Sequence, residues 1–290
     1  MVAALGGIVA GLAFTSPHAV RALPARVKAA ASEPTPQTQP TTAPSGPSVP
    51  PSTVATTVRA PTTSAPPPVG ALAGKIVAID PGHNGGNAGD PATINKLIWN
   101  GRASETCDTT GTETNSGYTE AQFNFNVAQA LGADLQSEGA KVVLTRTTNT
   151  GVGPCVPDRA AIGNVAHADA ALSIHADGGP PSGRGFAVLE PVADGPNNEI
   201  VAPSAVLGHD LRATFLAGTG EPVSTYDGIN GIQPRNDLGG TNLSTVPKVF
   251  IECANMRNAT DAALLISPAW QKRVADALAL GITEFLHPTG

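Results

Sequence analysis

The chain has 290 residues, a formal net charge of −6 at pH 7 and only 14% charged side chains. That length allows two average domains, yet 32 glycines and 27 prolines, many of the prolines crowded into the first quarter, point to one folded domain behind an extended tail. The mild acidity and the lack of any Lys/Arg block argue against nucleic acid as a partner, because phosphate recognition needs a basic patch.

Val2 to Phe14 forms an apolar run, followed by Ser16, Pro17 and a Val20-Arg21-Ala22 site at cleavage spacing. No Lys or Arg precedes the run, which is too short to span a bilayer comfortably. Residues 1–30 therefore read as a signal peptide or an N-terminal anchor, and the chain as exported to the periplasm or to the cell wall and extracellular space. Residues 31–72 are mostly Pro, Thr, Ser and Ala. Such a stretch cannot bury enough apolar surface to offset its ordering entropy, so it is expected to be a disordered linker reaching roughly 120 Å. Residues 73–290 remain as the core-forming domain.

Within that domain, Lys75 to Ile79 is an apolar strand that runs into the turn Asp80-Pro81-Gly82-His83. The Gly/Asn/Thr-rich segment Asn84 to Tyr118 is too long for a plain connection, so it is expected to border a site. Only Ile94 to Trp99 within it is faintly helix-like. Thr119 caps a helix in which Phe123, Val127, Leu131 and Leu135 recur every four residues, and Gly139 stops it. Lys141 to Thr145 is the second strand. Pro157 opens a helix to about Ala166, with Asp158 placed where the helix dipole favours an acid. Strands follow at Ala170–Ile174, Gly185–Leu189 and Lys248–Ile251, with a helix at Ser204–Leu216. Ser267 caps a last helix, Pro268 at its first position, that runs to about Phe285. The alternation predicts an α/β fold: one domain with a central, mostly parallel twisted sheet covered by helices on both faces.

Cys107 and Cys155 lie in loop-like stretches, whereas Cys253 ends an apolar strand, where a buried thiol is the default. Pairing Cys107 with Cys155 suits an oxidising compartment and closes a loop worth about 4 kcal/mol on the chain-entropy account; the alternative is three free thiols.

His83, His175 and Glu252 each follow an apolar strand, and ligands of open α/β sheets bind at the carboxyl ends of the strands. Glu120 adds a second carboxylate one residue past its helix cap. Two histidines and a carboxylate are a donor set for catalytic zinc with the fourth position left to water, which leaves Glu252 free as a base. Taken singly, each has a plainer reading. A histidine after a strand is commonly a hydrogen-bonded structural residue, and Glu120 is a first-turn acid that the helix dipole favours. An unpartnered Glu252 against an apolar strand is costly and calls for a partner. His18, His167, His209 and His287 lack the strand-end position.

Four motifs, Asp80-Pro81-Gly82-His83, Tyr118-Thr119-Glu120, Ser173-Ile174-His175-Ala176-Asp177 and Phe250-Ile251-Glu252, resemble those of the zinc-dependent N-acetylmuramoyl-L-alanine amidases of the amidase_3 type, in that family's order. The helix Arg159 to Asn164, Ala168-Asp169 and Val246-Pro247 resemble it too. The resemblance implies that His83, Glu120 and His175 bind one Zn2+ ion and that Glu252 is the catalytic glutamate. The substrate it implies is peptidoglycan, cut between N-acetylmuramic acid and the L-alanine of the stem peptide. Arg235 and Asn242, in the loop before the last strand, read either as contacts to the stem peptide or as ordinary loop residues. The chain is expected to act as a monomer without a second wall-binding domain, and the 84–118 segment to form a wall of the substrate groove. Rival readings are another zinc peptidase or deacetylase, a catalytically silent wall-binding module, and a structural envelope protein.

Overall fold

The computed structural model describes residues 70–287. The signal-peptide or anchor expectation for residues 1–30, and the linker expectation for nearly all of 31–72, lie outside the described residues. The last linker position is an exception: Leu72 is fully buried in the main core and its backbone N–H donates to Glu138 O at 2.9 Å. Packing has thus begun by Leu72, inside the stretch expected to be linker.

The elements run β1 (Ile76–Pro81), α1 (Pro91–Ile94), β2 (Leu97–Trp99), β3 (Ser104–Thr106), α2 (Glu120–Ser137), β4 (Lys141–Leu144), α3 (Val156–Val165), β5 (Ala170–Asp177), β6 (Ala187–Pro191), α4 (Val201–Thr219), β7 (Ile232–Arg235), α5 (Gly239–Asn242), β8 (Lys248–Asn255), α6 (Ala259–Leu265) and α7 (Pro268–Leu286). The caps follow from side-chain chemistry. Thr119 accepts from Gln122 N at the start of α2, and Ser267 accepts from Trp270 N at the start of α7. Gly139, at φ 95, lets the chain leave α2 in a left-handed turn.

β4, β1, β5, β8, β6 and β7 form one sheet in that order. All neighbours are parallel except β6 and β8. One sheet face packs on α2, α4 and α7. There Val77, Ile79, Leu172, Ile174, Val249 and Ile251 meet Phe123, Leu131, Leu211, Phe215, Trp270 and Leu278. Each such side chain contributes about 1.5–3 kcal/mol by leaving water. The other face is thinly covered: Ala78 and Ala171 cluster with Ala168 and Val246 near α3, where a Cβ on Gly163 would sit 3.5 Å from that of Ala78. Because side chains alternate along a strand, Asp80, Ser173, His175, Phe250 and Glu252 all fall on this second face.

Three expectations need correction. Ile94 to Trp99 is not a helix: α1 ends at Ile94, and Leu97–Trp99 pairs antiparallel with Ser104–Thr106. His175 and Glu252 lie inside their strands, opposite each other in register, because backbone pairing continues beneath polar side chains that face the site. His83 stands two residues beyond β1, at φ 56.

Candidate active site and metal centre

The floor of the site is laid by β1, β5 and β8, and α2 brings a carboxylate to it from the sheet's other side. Glu120 is the first residue of α2, so the cap at Thr119 also aims this side chain. Its Oε1 lies 2.8 Å from His175 Nδ1 and 3.3 Å from His83 Nε2, while its Oε2 accepts from Thr112 N at 2.9 Å. The two imidazoles meet edge to face at a centroid distance of 4.9 Å. One donor atom from each of His83, Glu120 and His175 lies within 4.8 Å of the others.

The surroundings fix these side chains. His83 Nδ1 faces Asp108 Oδ1 at 3.0 Å and Thr109 O at 3.2 Å, which leaves Nε2 directed at the shared space. Phe250 stacks on the His175 ring at 3.9 Å. Two glycines make room: a Cβ on Gly82 would lie 2.0 Å from His175 Cε1, and one on Gly111 would lie 2.7 Å from both Glu120 Oε2 and His83 Cδ2. Burial lowers the His83 pKa, but the Glu120 carboxylate, helped by Asp108, lifts it overall to about 10. The buried Glu120 carboxylate set between the two rings favours positive charge in the space they share. Nitrogen and oxygen donors converging on one point with one side open suit a metal ion of borderline softness.

Glu252 stands beside this cluster, opposite His175. Burial raises its pKa well above the ordinary carboxylate value, and Glu120 and Asp177 push the same way. Its Oε2 is buried and has no hydrogen-bond partner. A carboxylate so placed is a strong base with a free lone pair.

A buried ionic frame supports the floor. Asp80 accepts from Thr145, Ser173, Arg159 and Lys248. Burial opposes its charge, but Lys248 and Arg159 with those two hydroxyls hold its pKa well below the usual range. Arg159 donates to Asp80 Oδ1, Asp108 Oδ2, Pro81 O and His83 O at 2.9–3.0 Å. It thereby ties the β1 turn to the 107–109 segment. Cys107 and Cys155 are disulfide-bonded and Cys253 is a free, buried thiol.

Above the floor lies a groove of about 390 Å³ whose lining includes Glu105, Thr106, Thr109, Asp237 and Leu238. Several residues of the 84–118 segment thus border the site. Arg235 is not among the lining residues and holds Asp237, which is, through two contacts of 2.7 Å. Asn242 is fully buried and donates to Asn236 O at 2.9 Å, so it shapes the loop rather than facing the groove. Sequence reasoning missed Asp108 as the partner of His83. The one signal was its place beside Cys107. It also missed the Phe250 stack, which follows only from β5 and β8 being neighbours.

The family model for N-acetylmuramoyl-L-alanine amidase matches residues 77–284. An N-acetylmuramoyl-L-alanine amidase of Mycobacterium tuberculosis is 39% identical over 220 residues, covering 76% of this chain and 89% of that protein. The crystal structure of an N-acetylmuramyl-L-alanine amidase from Mycobacterium smegmatis superposes with a TM-score of 0.70 at 40% identity, over 74% of this chain and 98% of the other. That of the Mycobacterium abscessus amidase gives 0.70 at 38% identity, over 74% and 100%. Fold and site define an amide hydrolase on a mostly parallel α/β sheet. The chain belongs to the N-acetylmuramoyl-L-alanine amidase family.

Proposed function

We propose that this protein is an exported, zinc-dependent peptidoglycan amidase that cleaves the bond between N-acetylmuramic acid and L-alanine. The observation that carries the reading is the convergence of His83, Glu120 and His175 within 4.8 Å beside the partnerless carboxylate of Glu252. His83, Glu120 and His175 would hold the ion. Zinc supplies Lewis acidity, lowering the pKa of water toward about 7 and polarising the scissile carbonyl. Glu252 accepts the proton of the attacking water and delivers it to the departing alanine nitrogen. Asp108 and Thr109 keep the His83 proton on Nδ1, and Phe250 stacks on the His175 ring and fixes its orientation. No Ser or Cys nucleophile is required.

Family membership favours the amidase over another zinc peptidase or deacetylase, and the basic Glu252 disfavours a silent binding module. Export by residues 1–30, a linker that ends before the core residue Leu72, a catalytic domain from there onward and action as a monomer complete the proposal. The Cys107–Cys155 disulfide suits an oxidising compartment.

The test is digestion of purified peptidoglycan with product mass spectrometry, comparing wild type, Glu252→Ala and chelator-treated protein. Stem peptides beginning at L-alanine are expected from the untreated wild type alone, with zinc still bound by Glu252→Ala. Glycan-linked peptides left intact by folded, zinc-loaded wild type would overturn the reading.

A further inference from the structure

Leu97 and Trp99 of β2 are 74% and 59% exposed, although large apolar side chains gain most by leaving water. Cross-strand partners share a face, so Leu97 stands beside Thr106 and Trp99 beside Ser104, while Ile98 and Glu105 face the other way. The second face meets the body of the protein: a Cβ on Gly239 would lie 2.9 Å from Glu105 Oε1. The first face, with an indole, an isobutyl group and two hydroxyls, looks outward.

A two-stranded ribbon is marginal in water by itself. This one is pinned at both ends. At its tip the buried Asn100 donates to Glu105 Oε2 at 2.8 Å and accepts from the backbone of Arg102 and Ala103, and Arg102 pairs with Asp194 at 2.9 Å. At its base Cys107 N donates to Lys96 O, and Cys107 is bonded to Cys155. The ribbon is also continuous with the catalytic groove, because Glu105 and Thr106 of β3 line it together with Asp108 and Thr109. A pinned ribbon that lines a groove with one strand and presents an indole to water from the other is placed to receive a ligand.

We propose that the Leu97, Trp99, Ser104 and Thr106 face is a platform for the glycan strand of the substrate. This rests on the amidase reading, in which a stem peptide enters the groove while its sugar chain must lie across the groove's rim. A pyranose ring has one face of C–H groups and an equator of hydroxyls. The C–H face stacks on the flat, electron-rich indole, and the two hydroxyls beside it pair with sugar hydroxyl and acetamido groups. Leu97 extends the apolar strip toward Thr106 and the groove. A second copy of the chain is a poorer fit, since two apolar side chains fall far short of the roughly 800 Å² per partner that a stable interface buries.

The chain has two tryptophans, and Trp270 is buried at 1% exposure, so environment-sensitive emission from the surface reports on Trp99. Titration of the whole protein with a peptide-free GlcNAc–MurNAc tetrasaccharide is expected to shift that emission saturably, with no shift in Trp99→Ala and a weaker affinity in Leu97→Ala. On polymeric peptidoglycan, Trp99→Ala should raise KM about fivefold more than it does on a single-sugar muramyl peptide, as one aromatic contact is worth about that factor. Trp99→Phe should recover part of the loss. An unchanged emission together with equal losses on both substrates would overturn the platform, as would self-association or vesicle binding that depends on Trp99 without any glycan response. A glycan response in a protein that cuts neither substrate would instead sink the amidase reading and leave the platform standing.

Discussion

Gly82 shows how narrowly the site is drawn at the scale of one residue. The backbone between Pro81 and His83 passes so close to the His175 ring that a single methyl group would lie 2.0 Å from Cε1 and Nε2. The ring cannot yield, because Phe250 is stacked on it and Glu120 holds its Nδ1. Gly82→Ala is therefore expected to abolish tight metal binding and activity while the far-ultraviolet circular dichroism stays close to wild type. Metal content by mass spectrometry of the dialysed protein is the check; a full equivalent of zinc in the variant would show that the close approach does not matter. Of the site, His83, Glu120, His175 and Glu252 could be singled out in the sequence because each follows an apolar run or a helix cap, although β5 and β8 continue past His175 and Glu252. Asp108 and Phe250 were not, since the first acts across a loop and the second across a strand pair, and neither relation leaves a local pattern.

At the scale of elements, the Cys107–Cys155 disulfide joins the base of the β2–β3 ribbon to the residue that caps α3. Asp108 follows the first cysteine and meets both His83 and Arg159, and Arg159 belongs to α3. One covalent link therefore holds both ends of a chain of contacts that reaches His83. With a sequence separation of 48, its loss is expected to cost about 2–4 kcal/mol, the upper end being the chain-entropy value for a loop of this length. Urea unfolding of the Cys107→Ser/Cys155→Ser double variant measures this, and the same variant should release zinc to a chelator faster. An unchanged midpoint would mean that the ionic frame alone holds these elements. The larger helices were readable from apolar spacing and caps such as Thr119 and Ser267. The short β2, β3, β7 and α5 were not, because three or four residues carry too little periodicity and are shaped by what they pack on.

The stability of the whole molecule carries a pH dependence of its own. Glu221, nearly fully buried where α4 ends, shares the single guanidinium of Arg184 with Asp261. Burial raises its pKa to about 7, Arg184 offsets only part of that, and Asp261 adds to it. The raised value means the folded state holds the proton more tightly than the unfolded chain, where the carboxyl titrates near about 4.3. Its stabilising share is full below that value and is lost as pH rises through about 7, an effect on the order of 1–3 kcal/mol. Thermal midpoints of wild type and Glu221→Gln between pH 5 and 8 should therefore diverge, the variant losing less as pH rises. Parallel curves would show that Arg184 neutralises Glu221 fully.

Local patterns in the sequence by themselves determined the order of the main elements, the α/β class and the four polar residues that follow an apolar run or a helix cap. They do so because apolar period, cap chemistry and turn residues act over a few neighbours. The tertiary structure decided which strands are adjacent, and hence that His175 faces Glu252 and stacks on Phe250. It decided that Asp108 partners His83, and that Asn242 is buried instead of lining the groove. It also decided that β2 turns Trp99 outward. Each of these depends on contacts between residues distant in the chain, whose geometry is set by how the sheet is ordered and how the loops close over it.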